Sequence, residues 1–131
     1  MHISNAEWQV MKIIWMKGNL TSSDLIEQLA DRFSWSKSTI KTLLSRLVDK
    51  QCLSREKRGK SYLYSALLTQ EESLEVVVED VQSKVCSRKM KQVLAKLVDQ
   101  SDFTLFELQE LQCLLEKKKL EAVPEVACNC M

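Results

Sequence analysis

Between Cys52 and Leu67 the apolar residues change their spacing, and this change constrains the fold more than any other feature of the chain. On either side they recur every three to four residues, the period of one helix face. Within "CLSREKRGKSYLYSAL" they alternate, with Tyr62 and Tyr64 two apart, around the basic tip Lys57-Arg58-Gly59-Lys60. Two extended runs, 52–56 and 61–66, joined through Gly59, predict a β-hairpin. The rest reads as helix. Only two glycines and one proline punctuate the 131 residues, and glycine and proline are the strongest helix breakers.

Three helices are expected before the hairpin. In "SNAEWQVMKIIWMKG" Ser4 and Glu7 stand at capping-box spacing, Trp8, Met11, Ile14 and Trp15 form an apolar stripe, and Gly18 closes the helix. In "TSSDLIEQLADRF" Thr21 or Ser22 is the cap and Leu25, Ile26, Leu29 and Ala30 the buried face. In "SWSKSTIKTLLSRLVDKQ" Ser36 is the cap and Ile40, Leu43, Leu44 and Leu47 face inward. Trp35 is expected in the core with Trp8 and Trp15. Helix, helix, helix, hairpin is the order of a winged helix-turn-helix, whose third helix would enter the DNA major groove.

Charge agrees with that reading. Residues 1–70 carry 11 Lys/Arg against 6 Asp/Glu, and residues 71–131 carry 8 against 12. A basic half suits a polyanion. With its apolar face turned inward, the third helix presents Ser38, Lys41, Thr42 and Ser45 outward, flanked by Lys37 and Arg46. Its N-terminus, near Ser36 to Ser38, favours an anion. Short hydroxyls permit close approach, and Lys and Arg neutralise phosphates or read guanine. Lys57, Arg58 and Lys60 at the hairpin tip would lie beside the backbone. An ordinary solvated face would explain any one of these features, but not their agreement. The candidate double-stranded-DNA contacts are therefore Ser36, Lys37, Ser38, Thr39, Lys41, Thr42, Ser45, Arg46, Lys57, Arg58 and Lys60.

The second half has three apolar stripes at helical spacing: Leu74, Val77, Val78, Val81 and Val85; Met90, Val93, Leu94 and Leu97; Leu105, Leu108, Leu111 and Leu115. Val76, Phe106 and Leu114 widen them. Three short helices cannot bury so much on themselves, so a homodimer is expected. The division is then a DNA-binding domain over 1–70, a helical dimerisation domain over 71–119 and a flexible tail over 120–131. The tail ends "VACNCM". Cys128 and Cys130, at C-x-C spacing, can place two thiolates on one soft ion such as Cu(I) or Zn(II). Two tails in a dimer would supply the four sulfurs of a tetrahedral zinc site, whereas Cu(I) accepts two or three. Cys52 reads as packing, Cys113 as interface or filler, and Cys86, between two helices, as a lesser candidate to assist a metal. His2 sits at a fraying end.

"ISNAEWQVMKIIW" and "WSKSTIKTLLSRLVDKQCLSREKRGKSYLYSAL", followed by three helices, resemble the BlaI/MecI/CopY family of bacterial repressors over essentially the whole chain. The run from Trp35 to Lys50 is its most specific part, and "CNCM" is similar to the copper-responsive branch. The resemblance implies a homodimer held by the C-terminal helices and a palindrome with TACA/TGTA half-sites at a copper-efflux promoter. It also implies zinc supporting DNA binding and Cu(I) displacing zinc and causing release, with a copper chaperone as a candidate partner. Many members of that branch carry two C-x-C pairs. Here the upstream place reads "LEAVPEV", so a four-sulfur site would be built across the dimer or with Cys86 or Cys113. In the β-lactam-responsive branch the resemblance implies inactivation by proteolysis between the last two helices, where this chain has Asp102-Phe103.

Other classes fit less well. The single histidine at position 2 and the lack of a Cys/His or carboxylate constellation speak against an enzyme. A Cu(I)-carrying chaperone would leave the basic half unexplained. A redox switch would need a strained disulfide ring between Cys128 and Cys130. No run approaches the length of a membrane span and no signal peptide opens the chain, so a cytoplasmic protein with reduced cysteines is expected.

Overall fold

The computed structural model describes residues 2–130. Among them the element order is α1 (Asn5–Lys17), β1 (Leu20–Thr21), α2 (Ser22–Phe33), α3 (Lys37–Asp49), β2 (Leu53–Arg58), β3 (Ser61–Ala66), α4 (Gln70–Lys84), a 3-10 turn (Ser87–Lys89), α5 (Met90–Gln100) and α6 (Leu105–Lys119). The described residues are mainly helical with one small antiparallel sheet, the class expected of a winged helix followed by further helices. The chain divides after Val78 into two compact units. No helix among the described residues is long and apolar enough to cross a membrane.

Local signals set the helix ends. Ser4 Oγ accepts from the Glu7 amide at 3.2 Å while the Ser4 amide donates to Glu7 Oε1 at 3.0 Å, a closed capping box on α1. Thr21 and Asp24 repeat the device on α2, and Thr104 and Glu107 on α6. Gly18, with φ +85°, ends α1, a conformation that costs glycine little. In the first unit Val10, Met11, Ile14, Leu25, Leu29, Ile40, Leu43, Leu44, Leu47, Cys52, Leu53 and Tyr64 form one buried core. Trp8, Trp15 and Trp35 are half-buried against it. The ring of Trp35 stacks on Phe33 at 4.6 Å, and Trp15 Nε1 donates to the Leu68 carbonyl at 2.9 Å.

The hairpin pairs Leu53 with Ala66 through to Arg58 with Ser61. Lys57 and Arg58 thus belong to β2, and Gly59-Lys60 is a two-residue turn with Gly59 at φ +63°. β3 lies in the middle of the sheet because β1 pairs on its other edge, Leu20 opposite Tyr64. A strand of two residues has no periodicity to read. In α4 the packed side also differs from the expected stripe. Ser73 is buried and Val76 packs on the core, whereas Leu74, Val77 and Val78 are exposed.

One polar contact ties the start of α1 to the end of α3. The Lys50 ammonium donates to both Glu7 carboxylate oxygens, at 2.7 and 2.9 Å, and to the His2 carbonyl at 2.8 Å. Glu7 is only 2 % exposed. Burial raises its pKa, but the hydrogen bonds from Lys50 and Ser4 outweigh this and hold it below the ordinary 4.5. A lowered carboxylate pKa adds stability above the unfolded value, and that stability is lost as pH falls through the folded value. Glu7→Gln should therefore cost about 2 kcal/mol at neutral pH, less than for a fully buried pair because Lys50 reaches solvent. Urea unfolding should show the penalty shrinking below pH 4.5. A penalty independent of pH would mean that the ion pair contributes nothing.

Candidate functional site

The N-terminal turn of α3 is built by Ser36. Its Oγ accepts from the Thr39 amide at 3.2 Å and donates to Thr39 Oγ1 at 2.9 Å. The hydroxyl of Thr42 donates to the Ser38 carbonyl at 3.0 Å. Four buried residues, Ile40, Leu43, Leu44 and Leu47, fix which side of the helix faces in. The opposite side is left to solvent, and Ser36, Lys37, Ser38, Thr39, Lys41, Thr42, Ser45 and Arg46 are all exposed. Lys37, Lys41 and Arg46 therefore stand with hydroxyls on one rigid element, unopposed by any acidic residue of α3 before Asp49.

Lys57, Arg58 and Lys60 are exposed at the end of the hairpin. Arg58 pairs with Glu56 at 3.2 Å, an exposed contact of little energy that a phosphate could replace. Behind the tip, the Arg55 guanidinium lies over the Tyr62 ring at 5.0 Å. This surface can do what a winged helix needs: a helix with short polar and cationic side chains for a groove, and a cationic loop for the backbone.

The second unit holds a different chemistry. Cys86 stands at the elbow between α4 and the 3-10 turn, and the Sγ atoms of Cys86, Cys128 and Cys130 all lie within 4.8 Å of one another. The Cys86 and Cys128 Sγ atoms are 3.6 Å apart. The tail has no regular secondary structure, but hydrogen bonds hold its end along the elbow. The Ser87 amide donates to Asn129 Oδ1 at 2.8 Å, and Asn129 Nδ2 donates to the Gln82 carbonyl at 3.5 Å. Ser87 Oγ donates to the Ala127 carbonyl, and Arg88 Nε to the Val126 carbonyl at 3.0 Å.

Hydrogen bonds with Cys130, the Arg88 amide and Cys128 lower Cys86 to about 7. Those with Cys86 and Cys128 push Cys130 up to about 12. Cys86 therefore ionises before Cys130. Thiolates at about 2.3 Å around one ion stand about 4 Å apart, close to the observed spacing. The donor set is all sulfur, which suits a soft ion.

The structure thus brings Cys128 and Cys130 together as the C-x-C spacing anticipates, and adds Cys86. The 42 residues between Cys86 and Cys128 hide that proximity from any local pattern. Cys113 is exposed on α6 and outside the cluster. Cys52 is fully buried, and burial raises its pKa. Leu105, Phe106, Leu114 and Leu115 of α6 and Leu94 and Leu97 of α5 are more than half exposed.

Comparison with known proteins places these parts. A model of the penicillinase repressor family matches residues 3–117, so the match stops before the cysteine tail. An uncharacterized 16.5 kDa protein in the ptsI 3' region of Latilactobacillus sakei is 39% identical over 129 residues, 98% of this chain and 88% of that protein. The methicillin resistance regulatory protein MecI of Staphylococcus aureus is 33% identical over 116 residues, 88% of this chain and 94% of MecI. The solution structure of the DNA-binding domain of the repressor BlaI superposes with a TM-score of 0.52 at 34% identity. That superposition covers 54% of this chain and 87% of the BlaI domain. Of these relatives, MecI is a regulatory protein and BlaI a repressor, and neither is an enzyme.

Proposed function

The chain belongs to the penicillinase repressor family, and from that premise we propose that it is a copper-responsive transcriptional repressor. The observation that carries the copper part is the all-sulfur cluster of Cys86, Cys128 and Cys130, whose two tail cysteines lie beyond the family match. Two copies, joined through the exposed apolar faces of α5 and α6, would each set α3 into one half of a palindrome with TACA/TGTA half-sites. Ser36, Lys37, Ser38, Thr39, Lys41, Thr42, Ser45 and Arg46 would contact the groove and its phosphates. Lys57, Arg58 and Lys60 would hold the flanking backbone. The target would be the promoter of a copper-efflux operon.

Cys128 and Cys130 would hold the metal. A bound soft ion would supply sulfur–metal bonds in place of thiol protons, joining parts of the chain that otherwise meet only through hydrogen bonds. In this reading Zn(II) favours the DNA-competent dimer and Cu(I) one that leaves DNA, a coupling between two sites through the dimer's conformation.

A second reading has one observation in its favour. Asp102-Phe103 lies in the exposed, non-helical connection between α5 and α6, open to a protease as the off-switch. Two measurements on the same sample separate the readings. In the first, Cu(I) added to the zinc-loaded protein on operator DNA should lower the fluorescence anisotropy of the labelled DNA. In the second, mass spectrometry should find the released chain intact. Loss of repression accompanied only by cleavage at Asp102-Phe103, with no response to Cu(I), would replace the copper reading.

A further inference from the structure

We propose that Cys86 is the third ligand of the metal site, so that each chain closes its own three-sulfur site and the bound ion fastens the tail to the α4–α5 elbow. The proposal rests on the copper reading of Cys128 and Cys130 and goes beyond it in ligand set, stoichiometry and location.

The geometry comes from more than the sulfurs. Asn129, the residue between the two tail cysteines, bridges the elbow with both ends of its amide, to the Ser87 N–H and the Gln82 carbonyl. Ser87 Oγ and Arg88 Nε hold the carbonyls of Ala127 and Val126, and the Arg88 guanidinium reaches Glu125 at 3.8 Å. Five consecutive tail residues are thus engaged by the elbow, Cys128 through its contact with Cys86. Contacts of this kind keep the two tail thiols next to Cys86 and reduce the ordering that metal binding would otherwise require.

Coordination number gives the site its choice of metal. Three thiolates complete a site for Cu(I), whereas Zn(II) takes four ligands and would have to find a fourth donor beyond these sulfurs. A dimer would then carry two separate ions, one per chain, rather than one ion shared between two tails. Because Cys86 joins α4 to the 3-10 turn before α5, the metal would act directly on the connection between helices of the second unit. No long flexible tail would have to transmit its effect.

The test uses the full chain under anaerobic, reducing conditions. Wild-type protein should bind one Cu(I) per chain with three sulfur neighbours by X-ray absorption. Cys86→Ser should fall to two sulfurs and hold Cu(I) at least about 10-fold less tightly against a chromophoric chelator, since a linked ligand acts at high effective concentration. Its metal-free circular dichroism and DNA binding should be unchanged, because Cys86 is only half-buried.

A second readout needs no variant. Cu(I) loading should protect Cys86, Cys128 and Cys130 from alkylation, while exposed Cys113 continues to react. If Cys86 alkylates in the loaded protein as fast as in the metal-free protein, and Cys86→Ser binds Cu(I) unchanged, the three-sulfur site is wrong and the tail reading survives. If Cys128→Ser/Cys130→Ser still binds Cu(I) tightly and is released from DNA by it, the tail reading itself has failed.

Discussion

Replacing Lys41 and Arg46 together by alanine is expected to weaken operator binding by roughly 100-fold, from about 1–3 kcal/mol for each lost contact. Both side chains are exposed on the outward side of α3, so neither supports the core. Thermal unfolding and the oligomeric state by light scattering should match the wild type. The two residues should differ from those of the hairpin. Lys57→Ala removes a backbone contact, so it should weaken binding to all sequences alike and lower the slope of log affinity against log salt by about one. Normal operator binding by Lys41→Ala/Arg46→Ala would show that α3 is not the reading helix, whatever the likeness of the winged unit to the BlaI domain.

Cys128→Ser/Cys130→Ser should abolish copper-triggered release while leaving metal-free DNA binding intact. Couplings between two ligand sites usually change affinity by about 5- to 150-fold. In the double variant the operator affinities with and without Cu(I) should become equal. The substitution touches no core residue, since both cysteines are exposed. Titrating labelled operator with the variant, with Cu(I) present and absent, reads the effect directly. Release of the variant by Cu(I) at the wild-type concentration would put the sensing ligands elsewhere.

The parts of this architecture legible in the sequence are those set by neighbours. Ser4 with Glu7 and Ser36 with Thr39 are contacts three residues apart, so spacing reveals them. The buried face of α3 follows from period alone, because Ile40, Leu43, Leu44 and Leu47 all pack inward, and with it follows the outward side of Lys41 and Arg46. What spacing could not reveal depends on distant partners. Glu7 is readable as a capping residue, but its ion pair with Lys50 spans 43 residues. The side of α4 that packs is set by the surface it meets, which takes Ser73 and Val76 and leaves Leu74 and Val77 exposed. β1 is too short to have a pattern and exists because β3 offers it an edge.

The cysteines divide in the same way. Cys128 and Cys130 mark themselves as a pair by being two residues apart. Cys86 is marked only as a lesser candidate by its place between two helices, and it joins them because the tail returns to the elbow. Its neighbours Ser87 and Arg88 look like ordinary polar residues until their hydrogen bonds to Ala127, Val126 and Asn129 are seen. The three sulfurs that a Cu(I) site can use thus meet within one chain by a contact that only the fold supplies.

The most direct test of the central claim is the affinity for a TACA/TGTA palindrome, measured anaerobically under reducing conditions in three parallel titrations: metal-free, with Zn(II) and with Cu(I). The account predicts that zinc tightens binding over the metal-free protein and that Cu(I) collapses it. Equal affinities in all three titrations would contradict it, leaving a DNA-binding repressor whose release depends on something other than copper.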